Sequence, residues 1–310
     1  MSTPFPPPIP RFSSQPNEIS MTTTDSIASP TPSTVSKTPV LPTAPGGPTL
    51  GQLADDTPDV MTLHTQDAFR MFTGRAADAQ TQVFAIPGGR RFAAVLKSIW
   101  YLSANDNPYA DWILIRVYQT LIAIRAQMAQ AIRSREAEFE ALRRKGLNLS
   151  VLRSRSPATV ELGFRSPYGY ATAEAIVEFD YHVRMVKTLV LKDRLSDGDG
   201  RAAIREIGRG LRALFLQPIH WERILLRELM LPLSRRDFLP SADEVGRERM
   251  HIAVTLFGEI PRAVFTGDEA PRHSQRRITP TAAELRLLRQ VSLSIEAQGA
   301  PSEPLEGQLL

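Results

Sequence analysis

The sequence has 310 residues, 42% of them apolar, a formal net charge of +4 and no cysteine. The size leaves room for one folded domain of roughly 200–240 residues, and the missing cysteine excludes disulfides, thiolate metal sites and a cysteine nucleophile. Met1-Ser2-Thr3-Pro4 shows neither the basic nor the apolar region of a secretory signal, and no apolar run nears the roughly 18–20 residues of a membrane helix, so a cytoplasmic protein without membrane contact is expected.

Residues 1–60 read as a disordered Pro/Ser/Thr-rich tail. Residues 1–50 hold twelve prolines and only four charged residues, too little apolar surface to offset the entropy of ordering. Met21 stands as an alternative start. A helical core domain is read at 61–265. Gln82–Ile86 is a short strand candidate, ended by Pro87-Gly88-Gly89, a turn in which glycine supplies positive φ. Arg91 to Leu102 reads as a helix with Phe92, Val95, Leu96, Ile99 and Leu102 on one face. Asn107 as N-cap and Pro108 in the first turn then open a helix that Gly146 stops. From Tyr109 to Lys145 it has no Gly or Pro and spans roughly 55 Å at 1.5 Å per residue. Its second half, from Arg133, is charged and is expected to leave the core. A projecting helix of that length suggests packing on a second copy, hence a homodimer.

Ala158-Thr159-Val160-Glu161-Leu162-Gly163-Phe164 alternates. Val160, Leu162 and Phe164 point one way, and Thr159, Glu161 and Gly163 the other, as in a half-buried strand. Ser166-Pro167 caps a helix from Tyr168 to about Leu195. Asp197-Gly198-Asp199-Gly200 breaks it, and a further helix runs from Arg201 to Leu216, ended by Pro218. Residues 158–216 thus form a strand–helix–helix unit. Trp221–Leu231 and Asp243–Phe257 are further helices. Residues 266–310 read as a basic loop, a last helix capped at Thr279-Pro280, and a frayed end. The fold class is mainly α: a multi-helix domain with one or two short strands.

Chemistry is sparse. An EF-hand loop starting at Asp197 would need oxygen ligands where Arg201 and Gly208 stand. Pro87-Gly88-Gly89-Arg90-Arg91 lacks the Gly-Lys-Ser/Thr ending of a phosphate loop. The five histidines have no zinc spacing, and His182, inside a helix, reads as a satisfied core residue. No serine stands in a Gly-x-Ser-x-Gly elbow, and nothing supplies a nucleophile beside Arg165 or Arg184. No enzyme, cofactor or metal is expected. What stands out is charge. From Arg90 to Arg155 there are twelve Lys/Arg against five Asp/Glu, and arginine grips phosphate bidentately. Such a region can attract nucleic acid or can be a solvated helix face.

Three segments together carry a resemblance. They are Pro87-Gly88-Gly89-Arg90-Arg91-Phe92 with Asn107-Pro108-Tyr109-Ala110-Asp111-Trp112, Ser166-Pro167-Tyr168-Gly169-Tyr170-Ala171, and Gly208-Arg209-Gly210-Leu211-Arg212-Ala213-Leu214-Phe215. In that order, over roughly residues 60–270, the chain resembles a family encoded on integrating conjugative elements and related to the AcaB-like transcriptional activators of conjugative plasmids. The resemblance implies a ribbon–helix–helix-like regulator of conjugative-transfer genes that binds double-stranded DNA. In such dimers two strands pair antiparallel and enter the major groove. The strand before two helices fits. Thr159 and Glu161 would face bases, Arg153, Arg155 and Arg165 would flank them, and Arg201 would hold a phosphate at a helix start. Two features depart from that pattern: a first helix about twice the usual length, and a carboxylate and a glycine on the groove face. The other reading is a non-enzymatic interaction protein of the transfer machinery that uses the long helix and the tail to bind protein partners.

Overall fold

The structure, a computed structural model, describes residues 57–77, 84–278 and 280–299, without side chains beyond Val291. The tail expected at 1–60 lies outside these residues up to 56, and so does the end from residue 300. In chain order the elements are β1 (Val60–Leu63), α1 (Gln66–Thr73), α2 (Gly89–Ala104), α3 (Pro108–Arg144), β2 (Ala158–Glu161), α4 (Pro167–Leu191), α5 (Asp197–Leu225), a 3-10 turn (Arg235–Phe238), α6 (Glu244–Phe257), α7 (Arg262–Thr266) and α8 (Ala282–Gly299). The described chain is mainly helical with one two-stranded antiparallel sheet.

The core is the four-helix set α2 to α5, in which every helix touches the other three. Their apolar stripes meet: Phe92, Val95 and Ile99 from α2, Ile113, Leu114 and Leu121 from α3, Ile176, Phe179 and Val183 from α4, and Ile207, Leu211 and Phe215 from α5. Phe92 and Phe215 pack at a tilt, 4.8 Å between ring centroids. Each such side chain stabilises the fold by about 1.5–3 kcal/mol on burial. The caps act as their residue types dictate. Asn107 accepts from the Tyr109 and Ala110 N–H groups, and Ser166 accepts from Gly169. Gly146 takes φ +89°, a left-handed stop after α3.

A second cluster attaches the C-terminal elements. Tyr109 lies among the rings of Trp112, Trp221, Phe238 and Phe257. Beside it Arg235, 1% exposed, bonds Asp106 at 2.6 Å, Asp111 at 2.8 Å and the Val264 and Phe265 carbonyls. Arg276 reaches Asp111 from the loop before α8. Thr281 and Glu284 cap α8 reciprocally.

Several sequence readings are corrected. Asp197-Gly198-Asp199-Gly200 does not break a helix; it is the first turn of α5. Ser196 caps it by accepting from Asp199 N–H, and the two carboxylates favour the positive helix end. Pro218 does not end α5 either. It sits buried inside, and the helix runs on to Leu225, because the packing of Leu214, Phe215, Ile224 and Leu225 outweighs one missing backbone hydrogen bond. The segment read as helix Trp221–Leu231 therefore ends six residues early. The second half of α3 leaves the core as expected, with no side chain past Met128 fully buried, but it does not project: Glu136 accepts from the Tyr181 hydroxyl and Glu138 from Arg194, so it lies along α4. Of the strand read at Gln82–Ile86, residues 82 and 83 lie outside the described residues, and Ile86 makes only an isolated bridge to Arg75. Gly88 has φ −101°, so positive φ is not its reason. A Cβ there would meet Gly74 N at 2.3 Å and Phe72 O at 2.5 Å, and glycine is needed for that close approach.

Candidate nucleic-acid interface

The two strands form a short ribbon. Their register pairs Val60 with Glu161, Met61 with Val160, Thr62 with Thr159 and Leu63 with Ala158. Period-2 alternation then sorts the side chains. Met61 and Leu63 are buried, Val160, Leu162 and Phe164 pack on the core, and Val60, Thr62, Thr159 and Glu161 face outwards. The alternation read from residues 158–164 is the one observed, though strand pairing ends at Glu161.

Helix α4 holds this ribbon by polar contacts along its first half. The Asp180 carboxylate accepts from the His64 N–H, the Thr65 N–H at 2.7 Å and the Thr65 hydroxyl at 2.8 Å. At the other end of β1, Tyr170 donates to Asp59, whose carbonyl accepts from Leu162 N–H. Phe164 lies over the first turn of α4, so close that a Cβ on Gly169 would come within 2.5 Å of its ring. Gly169 therefore sets how tightly the chain turns from β2 into α4. Before β2, the segment from Leu152 to Ser154 is tied down by Leu152 N–H to the Thr188 hydroxyl, Arg184 to the Leu152 carbonyl, and Ser154 N–H to His64 Nδ1.

Arginines stand at both ends. Arg153 and Arg155 precede β2 and are exposed, and Arg165 follows it and is exposed. Arg165 lines a cleft of about 330 Å³ together with Arg90 and Lys97 from α2 and Glu161 and Gly163 from the strand segment. None of Arg90, Arg153, Arg155 and Arg165 forms an ion pair with a described residue, in contrast to the part-buried pairs Arg125–Glu178 and Arg249–Asp237. A cation with no internal partner keeps its full charge for a ligand. The cleft holds three cations against one carboxylate, so the outer face of the ribbon is bounded by positive charge at either end.

Two placements differ from the expectation. The antiparallel partner of β2 is β1 of the same chain, so one chain builds its own ribbon without a second copy. Arg201 does not open a helix: α5 begins at Asp197, so Arg201 lies one turn inside it. Neighbouring Gly200 packs on Val190 near the end of α4, about 15 Å along that helix beyond Asp180, which holds the Thr65 end of the ribbon. Thr62, Val60, Arg90 and Lys97 were not singled out from the sequence. The only signal for β1 was the four-residue alternation Val-Met-Thr-Leu, shorter than periodicity can resolve.

His182 is buried, as its helical setting implied; the acceptor nearest its ring is the Ala203 backbone, which raises its pKa a little but falls short of well-formed hydrogen-bond geometry. Burial, and then the nearby Arg135 charge, lower its pKa from 6.5 to about 4, so it stays neutral. Among the described residues no His, Asp or Glu cluster could hold a metal ion, and no helix is long and apolar enough to cross a membrane.

The described residues thus form a mainly helical domain that displays a two-stranded ribbon edged by arginines with no ion-pair partner among them. The family model described as transcriptional regulator AcaB matches residues 49–277; the chain belongs to that family of transcriptional regulators. Among solved structures, the crystal structure of selenomethionine-containing AcaB from uropathogenic E. coli aligns with 76% of this chain and 96% of its own, at 14% identity and a TM-score of 0.41. No curated protein sequence matches.

Proposed function

We propose that this chain is a DNA-binding transcriptional regulator of conjugative-transfer genes on an integrating conjugative element, and that it reads duplex DNA with the outer face of the β1–β2 ribbon. The observation that carries the reading is the ribbon itself: Thr62, Thr159 and Glu161 outward on one face, with Arg153 and Arg155 before it and Arg165 after it. A two-stranded ribbon fits the major groove. There Glu161 accepts from cytosine N4, the threonines offer hydroxyl and methyl to base edges, and the arginines fix register on the phosphates. The family membership supports the regulator role, and the resemblance of the quoted motifs supports the conjugative setting. A homodimer would repeat the ribbon on a second half-site about one helical turn away.

The test is fluorescence anisotropy on promoter fragments of the element against random duplex, with salt titrated from about 50 to 200 mM. Promoter binding that outlasts random binding, and that falls when Arg153, Arg155 and Arg165 become Gln, is the expected outcome. Unchanged affinity in that variant contradicts the ribbon as reader. No binding at low salt contradicts DNA binding altogether and favours an interaction protein. Sedimentation of the free and DNA-bound chain gives the copy number.

A further inference from the structure

Helix α5 carries a second basic surface, away from the ribbon. Arg201, Arg205, Arg209 and Arg212 are all exposed. At 100° per residue they fall within an arc of about 80°, and at 1.5 Å per residue they extend over roughly 17 Å. None of the four makes an ion pair or side-chain hydrogen bond with a described residue. Of the carboxylates close in sequence, Asp199 accepts from Ser196 and Glu206 accepts from Gln127 on α3, while exposed Asp197, one turn before Arg201, borders the N-terminal end of the arginine row. The buried stripe of α5, with Ile207, Leu211 and Phe215, faces the core, so the arginine face is a side that the bundle leaves open.

We propose that this face of α5 tracks the phosphate backbone of duplex DNA as a sequence-blind surface distinct from the ribbon. Four guanidinium groups over roughly 17 Å can reach a few neighbouring phosphates along one edge of the duplex. Each presents a planar fork that suits phosphate oxygens. A protein partner would need an apolar or aromatic centre within the patch; between Arg201 and Arg212 the arc holds none, and exposed Leu216 stands at its C-terminal edge rather than its centre. The same placement gives Arg201 its role, as one of a row on the backbone rather than a neighbour of the ribbon.

The inference rests on the reading of the chain as a DNA binder, and the two fail separately. The experiment compares the full-length chain, the Arg201→Gln/Arg205→Gln/Arg209→Gln/Arg212→Gln variant, and a ribbon variant, Thr62→Ala/Thr159→Ala/Glu161→Ala, on promoter and random duplex by salt-titrated anisotropy. Circular dichroism and thermal melting confirm that each is folded; the exposed positions make loss of fold unexpected in the α5 variant. That variant should weaken on both duplexes alike, keep its preference for promoter, and show a slope of log affinity against log salt shallower by about 3–4, since each lost phosphate contact removes about 0.9. Replacement of the four arginines by lysine should restore most of the slope. An unchanged slope and affinity in the glutamine variant overturns the proposal while the ribbon reading stands. Loss of promoter preference with an unchanged slope also overturns it. No binding by the unsubstituted chain removes both.

Discussion

The arginines of this protein serve in two opposite settings. Arg235 is sealed at 1% exposure, with every donor direction filled by Asp106, Asp111 and two carbonyls. Arg153, Arg155 and Arg165 are exposed beside a ribbon and pair with no described carboxylate. The first arrangement cancels charge inside the molecule, and its effect is on stability. The second leaves charge uncancelled at the surface, where it costs little and acts on whatever anion approaches. The comparison separates residues that build the fold from residues available to a ligand, and substitutions at the two ends should divide in the same way.

The largest effect is expected at the sealed end. Arg235→Ala leaves Asp106 and Asp111 as buried carboxylates short of their main partner, and should cost about 3–5 kcal/mol, read as a lower urea midpoint. If the loss is under about 1 kcal/mol, the cluster is not what docks the C-terminal elements. Next comes Asp180, a buried carboxylate that anchors the ribbon to α4. Asp180→Ala removes three accepted hydrogen bonds and should cost about 2–4 kcal/mol. DNA affinity should fall with it, since the ribbon loses its seat. Retained affinity in a destabilised Asp180→Ala chain would separate the ribbon from binding.

His182 gives a pH-dependent prediction of somewhat smaller size. Its folded pKa is about 4 against an ordinary 6.5. The unfolded chain therefore takes up a proton between those values that the folded chain refuses. Stability contributed by keeping this group neutral is full above pH 6.5 and is lost as pH falls towards 4, by up to about 3 kcal/mol. The difference in unfolding free energy between the native chain and His182→Leu should shrink or reverse as pH drops from 7 to 4.5; a difference independent of pH would contradict the account. The smallest stability effect belongs to the open end. Arg153→Gln, Arg155→Gln and Arg165→Gln should each shift stability by under about 0.5 kcal/mol, while weakening DNA binding.

The two regions were not equally legible in the sequence. The long helix α3 was plain because Asn107, Pro108 and Gly146 mark its ends and nothing interrupts it. The alternation from Thr159 to Phe164 gave the exposed face of β2 directly. Its partner β1 was missed, since four residues carry too little pattern, and the pairing joins positions about a hundred residues apart. Pro218 misled because the local cost of proline in a helix was weighed without the packing on either side of it. The fate of the second half of α3 turned on Glu136 and Glu138 meeting Tyr181 and Arg194, contacts that charge patterning alone does not announce. Arg235 looked like any other arginine, because burial of a cation depends on where Asp106 and Asp111 arrive in space. Arg201 was read as the start of a helix because Asp197-Gly198-Asp199-Gly200 reads as a break, whereas the Ser196 cap makes those four residues the first turn of α5.

The central claim is that the outer face of the ribbon reads DNA sequence. The most direct measurement is the ratio of promoter to random-duplex affinity for the native chain and for Thr62→Ala/Thr159→Ala/Glu161→Ala at one fixed salt concentration. At about 1–3 kcal/mol per base contact, the ratio should collapse in the variant, by on the order of tenfold or more, while random-duplex affinity holds. An unchanged ratio would contradict the claim and place sequence recognition elsewhere in the molecule.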